Sequence, residues 1–105
     1  MANANIYLDS KEAEKLAQIA GMLKVMAHPM RISIMHLLEQ HEELSVNAIC
    51  NILEAEQSLI SHHLYHMRQK DLLQVKKMGR HKYYSLKNMK ISKIIDCMDH
   101  CDFES

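Results

Sequence analysis

The feature that most constrains this chain is a change of period about two thirds of the way along it. Up to Lys70 the apolar residues recur at helical spacing; from Leu73 onward they alternate as in strands, with a glycine turn between two alternating runs. Asp9 followed by Glu12 makes a capping box, so a first helix starts near Ser10. Leu16, Ile19, Ala20 and Leu23 then form one stripe at i, i+3, i+4 and i+7. His28-Pro29 breaks it, and proline suits the first turn of a second helix whose apolar side is Met30, Ile34, Leu37 and Leu38. The polar run from Glu39 to Glu43 ends that helix. Ser45 can cap a short third helix carrying Val46, Ile49, Cys50 and Leu53, and Glu54-Ala55-Glu56 connects it tightly to a fourth from about Gln57 to Lys70. Leu73 to Met78 and His81 to Leu86 then alternate about Gly79. Asn88 can cap a last helix with Ile91, Ile94, Ile95 and Met98 along one side. Two short helices, the second rich in polar residues, followed by a hairpin predict a mainly α fold of about five helices with a two-stranded wing: a winged helix-turn-helix.

Size and composition agree. The 105 residues fit a single domain, 1–105, and 48% apolar residues supply a core, although a domain this small gains from a second subunit. Two glycines and one proline favour helices. No uninterrupted apolar run approaches a membrane span, and the N-terminus lacks the layout of a signal peptide. Cys50, Cys97 and Cys101 do not form a disulfide framework, so a reducing, cytoplasmic setting is expected. Enzyme chemistry is excluded at the level of motif: there is no glycine-rich phosphate loop and no nucleophile in a known setting.

The net charge of zero hides an asymmetry. Arg68, Lys70, Lys76, Lys77, Arg80, Lys82, Lys87, Lys90 and Lys93 face only Asp71, so this stretch carries +8 and the rest of the chain −8. A basic segment in a neutral protein can bind a polyanion locally. Turning the fourth helix by about 100° per residue puts Ile60, Leu64 and Met67 inward. Ser58, His62, Tyr65 and Gln69 then face outward, flanked by Ser61 and His66. Small hydroxyls, imidazoles and an amide are groups that approach base edges in the major groove, and the helix's first turn, Gln57-Ser58, attracts phosphate. An ordinary solvated face would carry Lys and Glu, and none occurs from Gln57 to Met67. The expected DNA-contacting set is Gln57, Ser58, Ser61, His62, Tyr65, Arg68 and Gln69, with Arg80 and Lys82 in the wing. His62, His63 and His66 have spacings that could gather imidazoles about a metal, but His63 points nearer the core than His62.

Three segments carry a family resemblance. LKVMAHPMRISIMHLL, QSLISHHLYHMRQKDLL and VKKMGRHKYYSL, within Leu23 to Leu86, resemble the ArsR/SmtB family of bacterial winged-helix repressors, the second segment most specifically. The resemblance implies a homodimer joined by the first and last helices, binding to double-stranded operator DNA, and release by an inducer. It implies DNA contacts at Gln57, Ser58, Ser61, His62 and Arg80. The apolar stripes of the first and last helices place Leu16, Ile19, Leu23, Ile91, Ile95 and Met98 at the interface. The family's metal sites are where this sequence departs. Ser45 and Asn47 stand where arsenic-type sensors have cysteines. Asn88, Lys90, Cys101 and Glu104 stand where zinc-type sensors have their last-helix ligands, and a protonated lysine cannot ligate. Persulfide sensors use a second-helix cysteine, whereas the second helix here has Met30 and Met35. The cofactor is therefore unknown. Cys97, His100 and Cys101 remain candidates for a soft metal or a thiol-based signal, with a partner chain completing the ligands. The competing function is a protein-interaction module whose basic wing docks an acidic partner.

Overall fold

The computed structural model describes residues 9–101; Glu104 lies outside them. Five helices and a small sheet follow in the order α1 (Ser10–Met26), α2 (Pro29–Gln40), β1 (Leu44–Ser45), α3 (Val46–Leu53), α4 (Gln57–Gln69), β2 (Leu73–Met78), β3 (His81–Leu86) and α5 (Met89–Asp99).

Local chemistry sets most of the boundaries. The amide of Glu12 donates to the Asp9 carboxylate at 2.7 Å, that of Ala48 to the Ser45 hydroxyl at 3.1 Å, and that of Lys90 to the Asn88 side-chain oxygen at 2.8 Å. Each satisfies one of the amides that a helix start leaves without a partner. Pro29 opens α2, whose cap is the His28 ring: Nδ1 accepts from the Met30 amide at 3.2 Å. α3 ends on Glu54 in the left-handed region, φ 52°, which turns the chain sharply into α4.

The sheet has three strands, ordered β1-β3-β2, where the sequence predicts a two-stranded wing. Leu44 and Ser45 pair antiparallel with Tyr84 and Tyr83, so the residue that caps α3 also ties the helix pair to the wing. Two residues have no readable alternation, and their partners lie some forty positions away.

The core sits where α2, α4, β2 and α5 converge. Ile34, Met35, Ile49, Ile60, Leu64, Met67 and Leu72 are fully buried. The inward face of α4 is the one its periodicity predicts. α5 divides its stripe differently from expectation. Ile91 and Ile95, expected between subunits, are each only 4% exposed in the single chain and belong to its own core. The open apolar side of α5 is Ile94, at 41%, and Met98, at 44%, a quarter turn round the helix. On α1, Leu16, Ile19 and Leu23 are about half exposed, as expected of an unpaired stripe.

A basic wing beside a polar helix face

α4 is held by its buried face and by a second anchor. Its outward residues Gln57, Ser58, Ser61, His62, Tyr65, Arg68 and Gln69 are all exposed. On the opposite side His63 is 4% exposed, the only buried polar or charged residue among those described. Its Nδ1 accepts from Arg31 Nε at 3.0 Å, and Arg31 Nη1 donates to the Val25 carbonyl at 3.2 Å. One guanidinium thus ties the end of α1 and the first turn of α2 to the middle of α4. The His28 ring meets the His63 ring edge to face, centroids 4.6 Å apart. Burial first, and then its neighbours His28, Arg31, His62 and His66, whose charged forms would repel a second cation, hold the His63 imidazole below the ordinary histidine value.

The hairpin delivers cations to the same side as the start of α4. Gly79, at φ +63° with open space around it, begins the two-residue turn Gly79-Arg80 that sets the β2–β3 register. Leu73 then pairs with Leu86, Val75 with Tyr84, and Lys77 with Lys82. This one face starts in the core and runs out to two directly opposed lysines. Like charges across a strand pair destabilise it, so the wing tip is costly unless an anion lies against it. Gln57, at the start of α4, lines a cleft of about 210 Å³ with Arg80, His81 and Lys82 of the wing and Ser45, Val46 and Asn47 at the start of α3. The amide end of a helix and three basic side chains share one opening, an arrangement suited to phosphate. Lys77 was not among the expected contacts. Its signal is the register: a two-residue turn at Gly79 obliges it to face Lys82.

His62 and His66 are an exposed and a half-buried pair one turn apart, ring centroids 4.4 Å. His63 turns away to Arg31, so the three imidazoles do not converge.

Cys97 lies on α5 and Cys101 two residues beyond its end; both are exposed free thiols, and the Cys101 thiol donates to the Cys97 carbonyl at 3.5 Å. His100 is drawn back instead: its Nδ1 donates to the Asp96 carbonyl at 2.8 Å and lies 3.7 Å from the Asp96 carboxylate. That hydrogen bond, then the Asp96 charge, raises the imidazole above its ordinary value. Among the described residues no three His, Cys, Asp or Glu side chains are grouped to hold a metal ion within one chain. Asn88 is occupied as the α5 cap.

The family model described as bacterial regulatory protein, arsR family, matches residues 28–75. The chain is 40% identical over 95 residues to the transcriptional repressor PagR of Bacillus anthracis, covering 90% of this chain and 95% of the relative. The crystal structure of PagR superposes with a TM-score of 0.77 at 41% identity, covering 82% of this chain and 98% of that one. The transcriptional activator HlyU of Vibrio cholerae is 30% identical over 87% of this chain and 84% of its own length. A solved HlyU structure superposes with a TM-score of 0.76, covering 90% of this chain and all of that one.

Proposed function

Because the chain belongs to the arsR family of bacterial regulatory proteins, it is a DNA-binding transcriptional repressor built on a winged helix-turn-helix, as PagR is named, and we propose that it acts as a two-fold homodimer on an inverted-repeat operator. The observation that carries this reading is the opening where the start of α4, the start of α3 and the tip of the wing meet. Gln57 and the amide end of α4 fix the phosphate backbone there. From that anchor Ser58, Ser61, His62 and Tyr65 enter the major groove. Lys77, Arg80 and Lys82 follow the backbone toward the adjacent minor groove, and Arg68 and Gln69 lie at the far end of the helix. Phosphate contacts position the protein and supply most of its salt-dependent affinity; the α4 side chains supply sequence preference.

Dimerisation is the second part of the proposal. Ile19 and Leu23 of the half-exposed α1 stripe and Ile94 and Met98 of α5 together line two adjoining apolar clefts, and Leu16 continues the α1 stripe beyond them. A second copy covers them by two-fold symmetry and sets two α4 helices about one DNA turn apart. Ile91 and Ile95 support this surface from beneath. No described helix is long and apolar enough to cross a membrane, and a role on DNA sets the protein in the cytoplasm with the chromosome. A thiol-directed releasing signal would act at Cys97 and Cys101, exposed free thiols four residues apart at the C-terminal end of α5.

The test is selection of duplexes from a random pool by the wild-type protein, followed by footprinting of the selected sequence and a reporter placed behind it. The expected result is an inverted repeat with half-site centres about 10 bp, or a multiple, apart. Reporter output should fall when the protein is supplied. An asymmetric site would contradict the dimer geometry, and a rise in output would contradict repression.

A further inference from the structure

The His28, Arg31 and His63 cluster lies outside the DNA-facing surface, yet it fixes the helix that forms that surface. Arg31 donates through Nε to His63 Nδ1 and through Nη1 to the Val25 carbonyl. The first is the only side-chain hydrogen bond among the described residues that joins the α1–α2 joint to α4; the second closes the joint itself. A guanidinium cannot accept, so Nδ1 of His63 must be without a proton, and a neutral ring then carries its hydrogen on Nε2. His28 faces the same requirement, because its Nδ1 accepts from the Met30 amide at the start of α2. Two imidazoles in edge contact, 4.6 Å apart, are thus each needed as acceptors at one junction.

We propose that Arg31, His63 and His28 form a proton-sensitive latch, a set of positioning residues that holds α4 at its DNA-reading angle only while both imidazoles are neutral. The inference rests on the reading of α4 as the DNA-contacting helix. The groups facing His63 are His28 at the head of α2, Arg31 one turn on, and His62 and His66 on α4 itself. All are cations when protonated, and no carboxylate is among them. α1, α3 and β2 also pack on α4; α3 has no charged side chain, and the charged groups of α1 and β2 are not among those that act on His63. A proton arriving on His63 therefore removes the acceptor and places a second positive charge against the guanidinium. A proton on His28 withdraws the α2 cap and sets a cation at a helix start, where the backbone dipole opposes it. Both events push α4 away from the α1–α2 joint. Because its surroundings hold His63 below the ordinary histidine value, the neutral, latched form is complete above the ordinary range and is lost as pH falls through the lowered value.

The direction separates this mechanism from ordinary surface charge. His62, His66 and His81 lie on or beside the proposed DNA surface, and their protonation adds positive charge that strengthens binding to a polyanion. The latch predicts the opposite. The experiment measures affinity for a duplex selected by the wild-type protein from a random pool at neutral pH, at fixed salt, from about pH 7.5 down to about pH 4.5, so that the acid limit lies below the span in which ordinary histidines titrate. Wild type should weaken by about tenfold or more toward acid, the size of one lost charge-assisted hydrogen bond. His63→Asn offers an amide oxygen to Arg31 but cannot titrate, so its ratio of affinities at the two pH values should be much closer to one, or reversed. Circular dichroism at both pH values checks that the chains stay folded. In the wild-type protein the nitrogen resonances of His63 should report Nε2-protonated neutral imidazole at neutral pH, a readout that needs no DNA. Selected DNA bound equally or more tightly in acid, or a His63→Asn profile identical to wild type, would overturn the latch alone. Failure to select any duplex would remove the DNA-reading account and the latch's function with it.

Discussion

Neighbouring isoleucines on α5 answer to different partners, and substituting each in turn separates the protomer's core from its dimer surface. Ile95 is 4% exposed and packs in the core, so Ile95→Ala leaves a cavity that the surrounding helices only partly fill. The expected cost is about 2–5 kcal/mol of protomer stability. Against a total of about 5–15 kcal/mol for a domain of this kind, that loss is large. Ile94 is 41% exposed in the single chain, so Ile94→Asp leaves the protomer's core intact and introduces a carboxylate into the apolar surface proposed to join two copies. Symmetry places that carboxylate in the interface twice. At about 2 kcal/mol per copy, the low end for an unpaired polar group, the two cost about 4 kcal/mol, close to three powers of ten in the dimer dissociation constant. Sedimentation equilibrium over a concentration series reads the association. Urea unfolding at a single fixed concentration reads stability, because assembly shifts the apparent midpoint. Ile94→Asp should sediment as a folded monomer at concentrations where wild type is a dimer, while Ile95→Ala should show the larger fall in intrinsic protomer stability. An Ile94→Asp chain that dimerises as tightly as wild type would refute the surface assigned here. An Ile95→Ala chain as stable as wild type would refute the division of the α5 stripe.

Two further predictions concern the wing and the thiols. Arg80→Ala should weaken binding to selected and random duplexes alike and reduce the slope of log affinity against log salt by about one charge, read by titration at several salt concentrations; an unchanged slope would mean that Arg80 touches no phosphate. Cys97→Ser/Cys101→Ser should bind the selected duplex like wild type in reducing buffer yet lose any release caused by soft metal ions or oxidants. Wild-type binding unmoved by those agents would show that the signal lies elsewhere.

The parts of this structure that were legible in the sequence are those set by near neighbours. Asp9, Ser45 and Asn88 each cap a helix through an amide two or three residues away, and Pro29 opens α2 by its own ring. The period of α4 separates Ile60, Leu64 and Met67 from Ser58, Ser61 and His62 because a rigid 3.6-residue repeat leaves little freedom about which face is which. What escaped depends on distant partners. β1 is a strand only because Tyr83 and Tyr84 come to lie beside Leu44 and Ser45. On α5 a broad apolar stripe is shared between the protomer's core and an open surface, and only the tilt of the packed helix decides that Ile91 and Ile95 turn inward while Ile94 and Met98 do not. His63 was legible as leaning toward the core, but its partner Arg31 lies 32 residues earlier, and no local pattern pairs them. The opposed Lys77 and Lys82 were implicit in the turn length alone.

The central claim is that the outward face of α4 reads DNA, and the most direct measurement is the affinity of Ser61→Ala/His62→Ala for the selected and random duplexes, set beside its melting temperature. Both side chains are exposed, so the variant should melt within a degree or two of wild type, in contrast to Leu64→Ala, whose fully buried side chain costs about 2–5 kcal/mol when truncated. Each residue that contacts a base edge contributes about 1–3 kcal/mol of discrimination. The double variant should therefore lose at least about thirtyfold in affinity for the selected duplex and much less for random DNA, which phosphate contacts hold. A variant that folds normally and still binds the selected duplex as tightly as wild type would contradict the account and favour a protein-docking role for the same surface.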